Sequence, residues 1–188
     1  MSGHWTEALE RLGACESAVE WSRGYGSLTE AWAACDRGDW LLWLAGRCAG
    51  PPGDERRRPL ALAVCEVVRP ALVHVPAGEE RPKRAIEAAE SWARGGPGAP
   101  TLEEVRAAGY AAAYAARAAA YAASAAADAV RAAADAAYDV ADAYAATATA
   151  AATATATATA RTARLAASAE IVRRHYPQPP VLPKEVLS

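Results

Sequence analysis

Between residues 107 and 169 the chain carries 37 alanines in 63 positions, and the residues that interrupt them keep a regular beat. Arg106, Tyr110, Tyr114, Arg117, Tyr121, Ser124, Asp128, Arg131, Asp135, Asp139, Asp142, Thr149, Thr153, Thr157, Arg161, Arg164 and Ser168 follow one another at three or four residues, with Ala146 filling the one vacant step. The mean step is about 3.65 residues, against 3.6 for an α-helix. Every charged residue from 106 to 164 lies on that line. A strand would instead divide neighbours between two faces at period two, as the alternation of Thr153 to Ala160 does over a short run. The long phase outweighs the short one and predicts helix.

This periodicity sets the fold class as all-α, with short N-terminal helices packed with long alanine-rich helices in a bundle or hairpin, or with one very long helix. Thr101-Leu102-Glu103-Glu104 is a capping box, and no proline follows until Pro177. Unbroken helix from 101 to 174 would be about 110 Å long, whereas a compact domain of this size is about 40 Å across. A fold-back into two or three helices is therefore expected, with the polar stripe facing solvent and the methyl faces used for packing.

Most of the larger apolar side chains, tryptophans among them, precede residue 95. Residues 5–12 and 15–23 read as short helices, the second stopped by Gly24 and Gly26. Ser27-Leu28-Thr29-Glu30 is a capping box opening a helix that carries Trp32. Asp39 is expected to cap Trp40 to Arg47. Trp21, Trp32, Trp40 and Trp43 are the expected core residues of this half. Leu60 to Val68 reads as a buried helix, and residues 71–75, bracketed by Pro70 and Pro76, as strand or extended loop. Pro82 suits the first turn of a helix that runs to Arg94. The organisation is thus 1–94 as an N-terminal helical subdomain, 95–100 as a Gly/Pro hinge, 101–176 as the alanine-rich helical region and 177–188 as a Pro-rich tail.

A net charge of −2 with a pI near 6.0 argues against nucleic-acid binding, which calls for a basic face. The single basic run, Arg56-Arg57-Arg58, follows Pro51-Pro52-Gly53-Asp54-Glu55 and is expected in a solvated loop. Cys15, Cys35, Cys48 and Cys65 include no C-x-x-C pair, and no secretory signal is apparent, so reduced, buried thiols in a cytoplasmic protein are expected. The uncharged stretch 143–160 lacks the large aliphatic residues that would insert it in a membrane. No phosphate loop, dinucleotide fingerprint or H-E-x-x-H motif is present. Cys35 beside Asp36 and His175 beside Arg174 belong to no catalytic pattern. No catalytic residue, cofactor or metal is assigned, and a protein partner or self-association is expected instead.

The charges order themselves along the stripe: basic at Arg106 and Arg117, mostly acidic from Asp128 to Asp142, basic again at Arg161 and Arg164. Asp128, Asp135, Asp139 and Asp142, edged by Tyr138 and Tyr144, form the candidate partner-binding strip, suited to steering a basic partner. Tyr110, Tyr114 and Tyr121 form a second aromatic line, either an anchor row for a partner or a row packed against the N-terminal half, the latter being expected. The alternative is a structural, self-assembling protein whose alanine faces pack between copies.

Three segments together resemble a family of immunity proteins, the immunity-type-five-like domain of bacteria and their phages. They are Ala34-Cys35-Asp36-Arg37-Gly38-Asp39-Trp40-Leu41-Leu42-Trp43-Leu44, the alanine-rich middle, and Ala169-Glu170-Ile171-Val172-Arg173-Arg174-His175-Tyr176-Pro177. The resemblance implies a small non-enzymatic protein that binds and neutralises a toxin. It carries over no binding residues.

Overall fold

The computed structural model describes residues 4–75, 77–120 and 158–187. Eight α-helices and no strand occur among the described residues: α1 (Thr6–Leu12), α2 (Glu16–Ser22), α3 (Leu28–Ala34), α4 (Gly38–Cys48), α5 (Arg58–Val68), α6 (Arg81–Arg94), α7 (Leu102–Ala120) and α8 (Ala158–His175). The all-α expectation holds.

Local chemistry sets most boundaries. Gly13, with φ of 86°, takes the left-handed conformation that ends α1, and its N–H reaches the carbonyl of Glu10. Ser27 Oγ accepts from Glu30 N at 3.2 Å, while the Glu30 carboxylate accepts from Gly26 N at 2.9 Å, one residue before the position a standard box would use. At α7 the box is complete: Thr101 Oγ1 accepts from Glu104 N and Glu104 Oε2 accepts from Thr101 N. Asp39 is not the cap of α4. The helix starts at Gly38, and the Asp39 carboxylate is held instead by Arg37 through two hydrogen bonds of 2.9 and 2.6 Å. Residues 71–75 form neither strand nor extended loop for the most part, since a 3-10 turn spans Arg69–His74. Pro70 lies in its first turn, where a missing N–H costs nothing.

The core gathers Leu9, Trp32, Leu42, Leu60, Val64 and Ile86 from the N-terminal half, together with Val105 of α7 and Ala169 and Val172 of α8. Helix α7 packs along α6, and α8 packs across α4 and α5. Were Val105 and Val172 on one continuous helix they would stand about 100 Å apart, yet both are fully buried in a single core. So α7 and α8 do not lie along one straight helix, the alternative to the expected fold-back. Gly109 and Ala112 on α7 and Ala169 on α8 are buried, whereas Ala107, Ala163 and Ala167 are exposed and Ala108, Ala111 and Ala166 half-buried.

The polar stripe does not face solvent throughout. Tyr110 is 51 % exposed, which corrects the expectation that it packs inward, and Arg164 is exposed. Ser168, four residues on, is buried and donates from Oγ to the Arg164 carbonyl at 2.8 Å. The reason is that Leu165, Ala169 and Val172 set the buried face of α8, and Ser168 lies between them on it. A serine satisfies its hydroxyl on its own helix and can be buried cheaply.

Candidate functional site

Three amphipathic helices turn their apolar faces toward one another around an indentation in the N-terminal half. Helix α2 supplies Ala18, Trp21 and Ser22, and α3 supplies Leu28, Ala31 and Trp32 with Cys35 just beyond its end. Helix α4 adds Trp40, Leu41, Trp43 and Leu44. Each set follows the i, i+3, i+4 spacing that places residues on one side of a helix. Leu9 and Ala14 close the remaining side, leaving a half-open pocket with about 40 Å³ of free volume.

All four tryptophans expected in the core line this pocket. Trp32 is 2 % exposed, while Trp21, Trp40 and Trp43 are half-buried and pack on the core from its edge. The rings of Trp21 and Trp40 meet at 5.8 Å between centroids, and Tyr25 lies 4.6 Å from Trp21. Arg37 holds its guanidinium carbon 4.3 Å from the centre of the Trp40 ring, fixed there by Asp39. The void exists because Ala14, Ala18 and Ala31 face tryptophans where bulkier residues would have filled it.

The polar atoms of the lining side chains are few: the Ser22 hydroxyl, the Cys35 thiol and the indole nitrogens. Trp32 Nε1 donates to the Tyr176 carbonyl at 3.1 Å. Cys35 Sγ donates to the Arg37 carbonyl at 3.6 Å, and burial pushes the thiol up to about 11, so it stays protonated at neutral pH. Burial likewise raises Cys48 to about 11 and Cys65 to about 12. All four cysteines are free thiols, but Cys15 is exposed, against the expectation that they are buried.

The other reactive side chains bind elements together. Glu66 of α5 lies 3.0 Å from His175 Nε2 and accepts from Arg174, and the His175 hydrogen bond, then Arg174, hold the Glu66 carboxyl below its ordinary value. Arg173 donates to the carbonyls of Trp32 and Cys35, which satisfies the end of α3. Burial raises the Tyr176 phenol to about 12, and its hydroxyl donates to the Arg56 carbonyl at 3.3 Å.

Arg57 departs furthest from expectation. The run Arg56-Arg57-Arg58 is not a solvated loop: Arg56 is exposed and pairs with Asp54, but Arg57 is 2 % exposed. Its Nε donates to the Gly50 and Pro51 carbonyls at 2.9 and 3.1 Å, while Nη1 is buried without a hydrogen-bond partner. Desolvation lowers its pKa.

Asp128, Asp135, Asp139, Asp142, Tyr138 and Tyr144, the candidate partner-binding strip, lie outside the described residues, as do the side chains of Tyr114 and Tyr121. Among the described residues no helix is long and apolar enough to cross a membrane. No family model, curated protein or solved structure matches this chain.

Proposed function

We propose that the chain is a non-enzymatic helical binding protein of the immunity type, which holds a protein partner, such as a toxin, stoichiometrically. The observation that carries this reading is the character of the concave site. Its lining is aromatic and aliphatic, and its thiol stays protonated and hydrogen-bonded to the Arg37 carbonyl, which suits an anchor pocket for a partner's side chain. A second feature supports it. The first and last segments that resemble the immunity family lie against each other: a β-carbon on Gly38 would fall 2.4 Å from Ser168 Cβ and 2.7 Å from the Ala169 nitrogen, and Arg173 donates to the Cys35 carbonyl. Two sequence segments more than a hundred residues apart are thus packed together beside the pocket.

Co-expression with the product of a neighbouring gene tests the reading. Co-purification at fixed stoichiometry, with relief of any growth arrest that product causes, is the expected result. A toxic neighbour that neither co-purifies nor is relieved would overturn the toxin-neutralising reading. Self-assembly through alanine faces is the second reading: Gly109, Ala112 and Ala169 are buried within the chain, but Ala107, Ala163 and Ala167 are exposed. Light scattering on the purified chain separates the two, since a self-assembling protein gives a mass that grows with concentration.

A further inference from the structure

We propose that the pocket framed by Trp21, Trp32, Trp40 and Trp43 is the seat for one branched aliphatic side chain, of leucine or isoleucine size, presented by the protein partner. This rests on the protein-binding reading above and adds to it the chemistry of the contact.

Size comes first. A water needs roughly 10–15 Å³ of such space, so about 40 Å³ corresponds to about three waters, the bulk of a small branched hydrocarbon group. Hydration comes second. A bound water needs about two to four polar partners, and the lining is overwhelmingly aromatic and aliphatic: beyond the Ser22 hydroxyl and the indole N–H groups of Trp21, Trp40 and Trp43 it has only the Cys35 thiol and the Trp32 indole, which already donate to Arg37 and Tyr176. Water is held poorly there, and an apolar group displaces it favourably. Charge comes third. No acid lines the pocket, and the Trp40 ring already carries the Arg37 guanidinium, itself paired with Asp39. A lysine or methylated ammonium group would meet a cation at the rim and no counter-charge inside. What remains is a neutral branched aliphatic group.

The test uses the full-length chain and four probes, the N-acetyl amides of leucine, isoleucine, alanine and lysine. Tryptophan fluorescence and indole N–H NMR shifts are the readouts, because four of the six tryptophans line the site. The leucine and isoleucine amides should give saturable changes in the millimolar range, with the alanine and lysine amides about tenfold weaker or absent. Ala18→Leu and, independently, Ala14→Leu fill the void from two sides, and both should abolish the leucine response while leaving the helical circular dichroism unchanged. The same non-saturating drift with all four amides, or filled variants that still respond, would overturn the assignment.

The two levels of the reading fail differently. A partner captured equally by the wild type and the filled variants leaves the binding function standing and removes this seat. If the leucine amide saturates the pocket yet no protein partner is found for the wild type, the pocket is a receptor for a free small molecule, and its assignment to a protein side chain falls.

Discussion

At Gly38 the backbones of α4 and α8 approach so closely that a β-carbon would sit 2.4 Å from Ser168 Cβ and 2.7 Å from the Ala169 nitrogen. Both obstacles are fixed parts of a helix, so the helices themselves must separate to admit a methyl group. Overpacking of this kind costs about 1–3 kcal/mol, and Gly38→Ala is expected to fall at the upper end of that range in urea unfolding. An unchanged midpoint would show that the two helices can slide apart freely. Arg57 makes the opposite demand, for one particular side chain rather than for none. Its buried Nε is shared between the Gly50 and Pro51 carbonyls, a position at which lysine has no nitrogen. Arg57→Lys keeps the charge and loses both contacts, so it should destabilise the chain by roughly 1–3 kcal/mol. If the charge alone mattered, the lysine variant would unfold with the wild type.

Glu66 joins α5 to α8 through Arg174 and His175, and its pKa in the folded chain lies below the ordinary 4.5. A carboxylate depressed on folding contributes stability above its unfolded pKa and loses it as pH falls through the folded one. The contribution of the Glu66 carboxylate to the tie between α5 and α8 should therefore be present above pH 4.5 and weaken on acidification below it. Asp54 and Glu79, each pushed down to about 2 by a neighbouring arginine, keep their charges further into acid. Glu104 shifts in the same direction through its Thr101 contacts, so a variant is needed to isolate Glu66. Glu66→Gln should give a melting temperature with a shallower pH slope below pH 4.5 than the wild type, and parallel curves would deny the tie its role. At this scale the helices themselves were legible, because capping boxes at Ser27 and Thr101 and the stop at Gly13 are local chemistry. Trp32 was legible as a core residue for the same reason, while Trp21, Trp40 and Trp43 pack on the core from its edge. Their pocket was not legible, since a void depends on Ala14, Ala18 and Ala31 meeting them from other helices. Nor was the burial of Arg57, for Tyr176, which donates to the Arg56 carbonyl beside it, lies 120 residues away in sequence. Ser168 misled for a related reason: a stripe drawn through polar residues ignores Leu165 and Val172, which decide the buried face.

At the scale of the whole molecule, α7 and α8, the described parts of the alanine-rich region, share one core with the tryptophan-rich half. Val172 and Ala169 of α8 are fully buried among residues of the N-terminal helices, and Trp32 donates to the Tyr176 carbonyl just past the end of α8. Every tryptophan lies between Trp5 and Trp92, so tryptophan fluorescence reports only on the N-terminal half. That separation makes the coupling measurable. Fully burying a valine contributes roughly 1.5–3 kcal/mol, and truncating it leaves a cavity whose cost falls on whatever unfolds together with it. If the helices before residue 95 unfold in one step with α8, Val172→Ala must shift the fluorescence-detected urea midpoint by nearly as much as a truncation within the N-terminal half, such as Val64→Ala on α5. If the two halves were independent, Val64→Ala alone would move the midpoint and Val172→Ala would leave it in place. The shared core requires the first outcome, and with it the dependence of the tryptophan pocket on α8: Arg173 holds the carbonyls of Trp32 and Cys35, so a chain that loses α8 loses the end of α3 and the floor of the site.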